Sequence, residues 1–144
     1  MSAAYDYCRT VCDGEVDTVG HVNNVAYVEW MQAAALAHST ALGWPAQRYR
    51  QLGCGWVVRS HQVEYLQPAR AGDEILVRTW VATMRKATSL RCYRIYRASD
   101  ATLLAKAETL WAFINFTTGQ PRRIPRDIAD AYPPQGHDEP PPNP

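Results

Sequence analysis

No stretch of the chain approaches the roughly 18 apolar residues that cross a bilayer as a helix. The opening Met1-Ser-Ala-Ala-Tyr-Asp also lacks the basic and apolar segments of a secretory leader. A soluble cytoplasmic protein is therefore the expectation. Charge of one sign is missing too: 15 Lys and Arg stand against 14 Asp and Glu, a formal net charge of +1. Nothing draws the chain as a whole toward nucleic acid or a membrane surface, so any anion it binds must be held locally. The 4 cysteines, Cys8, Cys12, Cys54 and Cys92, form no Cys-x-x-Cys pair and have no His cluster beside them. That spacing points to reduced structural thiols and no metal. No internal repeat is present.

What the sequence does hold is material for one core: 144 residues, 47% of them hydrophobic and 20% charged. Tyr5–Val11 is aromatic and β-branched and runs into an Asp13-Gly14 turn, as a first strand would. From Asn24 to Leu42 the chain is Ala-rich and free of Gly and Pro, with Asn23 placed to cap it and Gly43 to stop it, which predicts a helix of about five turns. Its apolar residues occupy most faces, and Ala33-Ala34-Ala35 lets other backbone approach, so the helix is expected to be buried on several sides. Four β-rich runs follow, Trp56–Leu66, Glu74–Met84, Ser89–Tyr96 and Leu103–Phe116. Alternation puts Ile75, Val77, Thr79 and Val81 on one face, and Leu103, Ala105, Ala107, Thr109, Trp111 and Phe113 on another, opposite Lys106 and Glu108. One early helix followed by consecutive strands argues for α+β with an antiparallel sheet. The domain is expected to span 1–131, and the Pro-rich segment 132–144 to be disordered.

The densest polar stretch is Asp17-Thr-Val-Gly-His-Val-Asn-Asn-Val-Ala-Tyr27, at the entrance to the long helix. A helix N-terminus leaves backbone N–H groups unpaired and carries partial positive charge, so it stabilises an oxygen gaining negative charge. The amide of Asn24 or Val25 is a candidate donor. A carboxylate nearby can attack a carbonyl carbon or take a proton from water while the helix end polarises the carbonyl. Each residue also has a plainer role available: Asp17 and Gly20 in a turn, Asn23 or Asn24 as cap, His21 as a hydrogen-bonded loop residue.

The spacing Asp17-x-x-Gly20-x-Val22-x-x-x-x-Tyr27, followed by a long helix ending at Leu42-Gly43, resembles the signature of hotdog-fold acyl-CoA thioesterases of the 4-hydroxybenzoyl-CoA thioesterase-like group. The Gly-His-Val-Asn-Asn-x-x-Tyr form resembles related acyl-CoA and acyl-carrier-protein thioesterases. Val63-Glu-Tyr-Leu-Gln-Pro-Ala-Arg-Ala-Gly-Asp-Glu-Ile-Leu-Val and Gly119-Gln-Pro-Arg-Arg-Ile-Pro resemble further blocks of the family, up to about Asp130. The resemblance implies a five- or six-stranded antiparallel sheet around the central helix, a homodimer or homotetramer, and a site at the dimer interface. By position it makes Asp17 the catalytic carboxylate and Asn24 the residue whose N–H holds the thioester oxygen. His21 and Asn23 would orient substrate or water, and Gly20 and Tyr27 would complete the substrate-binding motif. Where one branch carries Glu-Arg-x-Arg in the helix, this chain has Gln32-Ala33-Ala34-Ala35, so no role for helix charges is carried over.

Coenzyme A brings phosphates, for which Arg85-Lys86 and Arg122-Arg123 are candidates. Thr88 and Ser89 are candidates for the pantetheine path, and Trp30, Met31 and Trp56 for either core or acyl pocket. Glu64, on an alternating strand, is expected to face solvent. The leading expectation is hydrolysis of an acyl-CoA or acyl-carrier-protein thioester without metal or organic cofactor. Two alternatives stand beside it, a hotdog-fold enoyl-thioester hydratase or dehydratase using an Asp and a His, and a non-catalytic acyl-thioester or carrier-protein binding module.

Overall fold

A computed structural model describes residues 4–141. Strand β1 (Tyr5–Thr10) leads through a short 3-10 turn, Asp13–Glu15, to α1 (Asn24–Ala41) and α2 (Ala46–Leu52). Strands β2 (Cys54–Tyr65), β3 (Glu74–Met84), β4 (Thr88–Arg97) and β5 (Thr102–Asn115) follow, and then α3 (Arg126–Ala131). The strands form one 5-stranded sheet in the order β1-β3-β4-β5-β2, antiparallel at every pairing. This is the expected α+β architecture.

Helix α1 forms where the sequence predicts it. The Asn23 side chain accepts from Val25 N–H and Ala26 N–H, and Gly43 leaves the helix at φ +90, a conformation that costs glycine little. Tyr27, Trp30, Met31 and Ala34 pack onto Val77, Tyr93, Ile95 and Ala105 of the sheet in the main core. Ile75, Val77, Thr79 and Val81 are all buried, as their alternation requires.

Three features depart from expectation. The pairing of β4 with β5 shifts between Ile95 and Tyr96. This bulge turns fully buried Leu104 into the core, so the inward face of β5 does not begin at Leu103. Helix α2 is an added element: Pro45 fixes its entry and Gly53, at φ +79, its exit. Third, residues 132–141, expected to be disordered, make specific contacts with the sheet. Gln135 N–H and Gly136 N–H donate to Val81 and Ala82 carbonyls, continuing the edge of β3 beyond β1. Trp80 Nε1 donates to Gly136 O, and Glu139 accepts from Arg78 and Tyr96. Proline bars this segment from regular structure, but the few N–H groups and side chains between its prolines suffice to hold it. Residues 142–144 lie outside the described residues.

Candidate active site at the entrance to the long helix

The segment preceding α1 folds on itself because its own polar groups close a tight turn. Asp17 N–H donates to His21 O at 2.8 Å and Gly20 N–H to Asp17 O at 3.1 Å. Gly20 takes φ +82 at the tip. Asp17 Oδ1 accepts from Val19 N–H at 3.0 Å and His21 N–H at 3.1 Å. Val22 N–H then donates to Ala69 O, and His21 bridges Arg70, which docks the turn on the β2–β3 connection. From behind, Glu15 locks it to the body of the protein: Oε1 accepts from Arg9 and from Cys12 N–H, and Oε2 accepts from Trp30 Nε1.

This arrangement leaves two groups with capacity to act. Asp17 Oδ2 accepts no hydrogen bond among the described residues, and Asp17 is exposed. Val25 N–H is taken by the Asn23 side chain at 2.9 Å, so it is not the free donor. Asn24 N–H has no acceptor among the described residues, and Asn24 O is fixed by Tyr65 OH at 3.0 Å. The first amide of an 18-residue helix is thus open, three residues beyond the His21 amide that holds Asp17 Oδ1. His21 meets Asp17 through its backbone, so no His–carboxylate dyad forms at this turn.

Tyr27 stands apart from this pair. It is buried, its ring packs on Trp30 and Tyr65, and its hydroxyl accepts from Ala69 N–H at 3.1 Å. Burial pushes its phenol above the ordinary range. It clamps the β2–β3 connection under the turn. Trp30 and Met31 are core residues, whereas Trp56 lines a cavity. Glu64 is exposed and pairs in register with Lys106.

Arg85, Lys86, Thr88 and Ser89 lie at the other end of the same chain. Tyr65, bonded to Asn24, is opposite Ala105, while Ser89 is opposite Trp111; Ala105 and Trp111 are about 20 Å apart at ~3.3 Å per residue. At this second end Ile124 N–H donates to Lys86 O, which brings exposed Arg122-Arg123 beside exposed Arg85-Lys86. A cavity of about 310 Å³ opens there between α1, α2 and the sheet, with Gln32, Leu36, Trp56 and Phe116 among its walls. Ser89 also lines it, its hydroxyl donating to Thr83 O.

The 4 cysteines are all free thiols. Cys92, Glu108 and His137 offer ligand atoms within 4.8 Å of one another on the face of the sheet under the C-terminal segment. Burial, aided by Glu108, pushes the Cys92 thiol up to about 11, so it is protonated at neutral pH. Sequence reasoning missed this cluster because His137 lies in the segment expected to be disordered.

An antiparallel sheet packed on one long helix is the architecture of the hotdog-fold thioesterases. Over residues 11–132 the sequence matches the thioesterase-like superfamily, and the chain belongs to that family. It is 31% identical over 114 residues to the acyl-CoA thioester hydrolase YbgC of Escherichia coli O6:H1, covering 79% of this chain and 82% of that protein. Among solved structures it superposes on Slr0204, a 1,4-dihydroxy-2-naphthoyl-CoA thioesterase from Synechocystis, with TM-score 0.83 and 21% identity, over 89% of this chain and 94% of the other. The hypothetical protein TT1821 of Thermus thermophilus gives TM-score 0.81 and 28% identity, over 88% and 95%.

Proposed function

We propose that the chain hydrolyses acyl-CoA thioesters, with Asp17 as general base or nucleophile and Asn24 N–H receiving the thioester oxygen. The observation that carries this reading is that one short segment leading into the helix holds both a free helix-start amide and a carboxylate whose Oδ1 is fixed by two loop amides and whose Oδ2 is left available. In the base form, Asp17 takes a proton from water and the water oxygen bonds to the carbonyl carbon. The amide holds the resulting oxyanion, and its collapse breaks the C–S bond and releases CoA thiolate, which picks up the proton. A thiolate leaves readily, so the step calls on neither metal nor organic cofactor. YbgC, an acyl-CoA thioester hydrolase by name, supports the substrate class.

The working unit in this proposal is a pair of chains. Strand β2 is one edge of the sheet, and the opposite edge is shortened to 6-residue β1 and continued by the C-terminal segment. Antiparallel pairing of two copies along β2 sets the Asp17 end of one against the cavity and basic end of the other. It also covers the apolar groups exposed around those ends, Val19, Val25 and Tyr65 at one and Leu36 and Phe116 at the other. Arg85, Lys86, Arg122 and Arg123 then face the phosphates of the CoA whose thioester sits at the other chain's Asp17.

The reading is tested by incubating the protein with short, medium, long and aromatic acyl-CoAs and following free CoA by mass spectrometry, while light scattering reports its mass. Release from at least one thioester by a dimer or tetramer is the expected result. A folded protein that releases CoA from none of them overturns the reading.

A further inference from the structure

At the floor of the cavity the sheet presents a cation with no counter-charge. Arg91, on β4, is 5% exposed and lines the cavity. Its Nη1 meets His38 Nδ1 at 2.9 Å and Thr79 Oγ1 at 3.1 Å, and its guanidinium lies 6.0 Å from the centre of the Tyr132 ring. Nε and Nη2 make no hydrogen bond among the described residues, and no Asp or Glu forms an ion pair with Arg91 there. His38, the titratable group it hydrogen-bonds, supplies no charge, because burial and the Arg91 charge hold it down to about 3, neutral at physiological pH.

A guanidinium is always charged in proteins and is costly to bury without an anion. A thioesterase pocket for a plain alkyl chain needs no charge at its floor, and Met or Leu would fill the position better. The rest of the lining is mostly apolar and suits a hydrocarbon segment.

We infer that this cavity takes an acyl group whose far end carries a carboxylate, so that the substrates are monothioesters of dicarboxylic acids, with Arg91 as the specificity-determining residue. The inference rests on the thioesterase reading for its substrate class but not for its binding test. The carboxylate supplies the missing counter-ion and accepts from the unused guanidinium N–H groups, while the methylene chain lies along Trp56 and Val81 toward the mouth at Leu36 and Phe116. At about 310 Å³ the space sits at the small end of ligand pockets, which favours short and medium chains.

The test compares the unhydrolysable thioethers S-hexyl-CoA and its ω-carboxy counterpart by calorimetry, and hydrolysis of hexanoyl-CoA and adipoyl-CoA in parallel. Wild type should bind the ω-carboxy thioether at least about tenfold more tightly. Arg91→Met should abolish that preference, and Arg91→Lys should keep part of it; circular dichroism and thermal melts establish which variants fold. Equal or weaker binding of the ω-carboxy thioether by wild type overturns the inference, and hydrolysis of hexanoyl-CoA in that case leaves the thioesterase reading intact. The expected binding preference with no hydrolysis of either ester or of any acyl-CoA in the panel above would uphold the subsite and overturn the thioesterase reading instead. An undiminished preference in folded Arg91→Met also overturns the inference. Should that variant not fold, Arg91→Lys decides: a reduced preference upholds the subsite and an undiminished one overturns it.

Discussion

Replacing Tyr27 by Phe removes one hydroxyl and leaves the ring, so packing against Trp30 and Tyr65 is retained. What disappears is the acceptor for Ala69 N–H, which lies 3.1 Å from the hydroxyl on a residue with 0% exposure. No water replaces it readily, and a buried amide left unpaired costs about 1–3 kcal/mol. For a chain of this size that lowers Tm by roughly 3–9 °C and lowers the urea midpoint with m unchanged. Protein concentration must be held constant, because a self-associating chain gains stability by mass action. The turn carrying Asp17 is docked on the same segment through Val22 N–H and Ala69 O, so kcat should fall a few-fold while KM moves little. The motif resemblance assigns Tyr27 to substrate binding. An unchanged urea midpoint with a raised KM would bear out that assignment and refute a clamping role through Ala69.

Other expected outcomes follow from the same geometry. Asn23→Ala leaves Val25 N–H and Ala26 N–H without their side-chain acceptor and should cost about 1 kcal/mol in urea unfolding. His38 is held down to about 3 against an ordinary value of 6.5, so between those pH values the unfolded chain binds a proton that the folded chain refuses. Stability from this residue is therefore full above about pH 6.5 and drains as pH falls, at up to about 1.4 kcal/mol per pH unit. His38→Gln should flatten the acid side of the Tm–pH curve relative to wild type, and an identical slope would contradict the assignment. Hydrogen exchange should show protected amides at Gln135 and Gly136, which donate to Val81 and Ala82. Glu139→Gln, by weakening the Arg78 ion pair, should speed their exchange.

How far the sequence could be read depended on how local each feature is. The helix could be bounded because Asn23 and Gly43 act on their immediate neighbours, and the strands because alternation is a property of contiguous residues. The tip of the Asp17–Tyr27 segment was legible for the same reason: the hydrogen bonds to the Asp17 side chain join residues at most four apart in sequence. Sequence alone could not place Glu15, whose role depends on Arg9 and on Trp30 one helix away. Arg91 reads as a solvent-facing charge on a strand until pairing register turns it inward beside His38. The C-terminal segment misled because composition alone reports a poor capacity for regular structure, and the contacts that hold it come from Trp80, Arg78 and Tyr96 on distant strands. The distance between Ser89 and Asp17 within one chain likewise follows only from register.

The central claim is that the Asp17 carboxylate performs the chemistry, and Asp17→Asn tests it most directly. The local structure makes this substitution unusually clean: Oδ1 is the atom that accepts from Val19 N–H and His21 N–H, and the Asn amide oxygen accepts both in the same way. The turn survives while the negative charge and the proton acceptor at the second oxygen are lost. On whichever acyl-CoA the wild type hydrolyses best, kcat/KM should fall by about a hundredfold or more, with Tm within about 2 °C of wild type. A variant that folds and hydrolyses as fast as wild type would contradict the account.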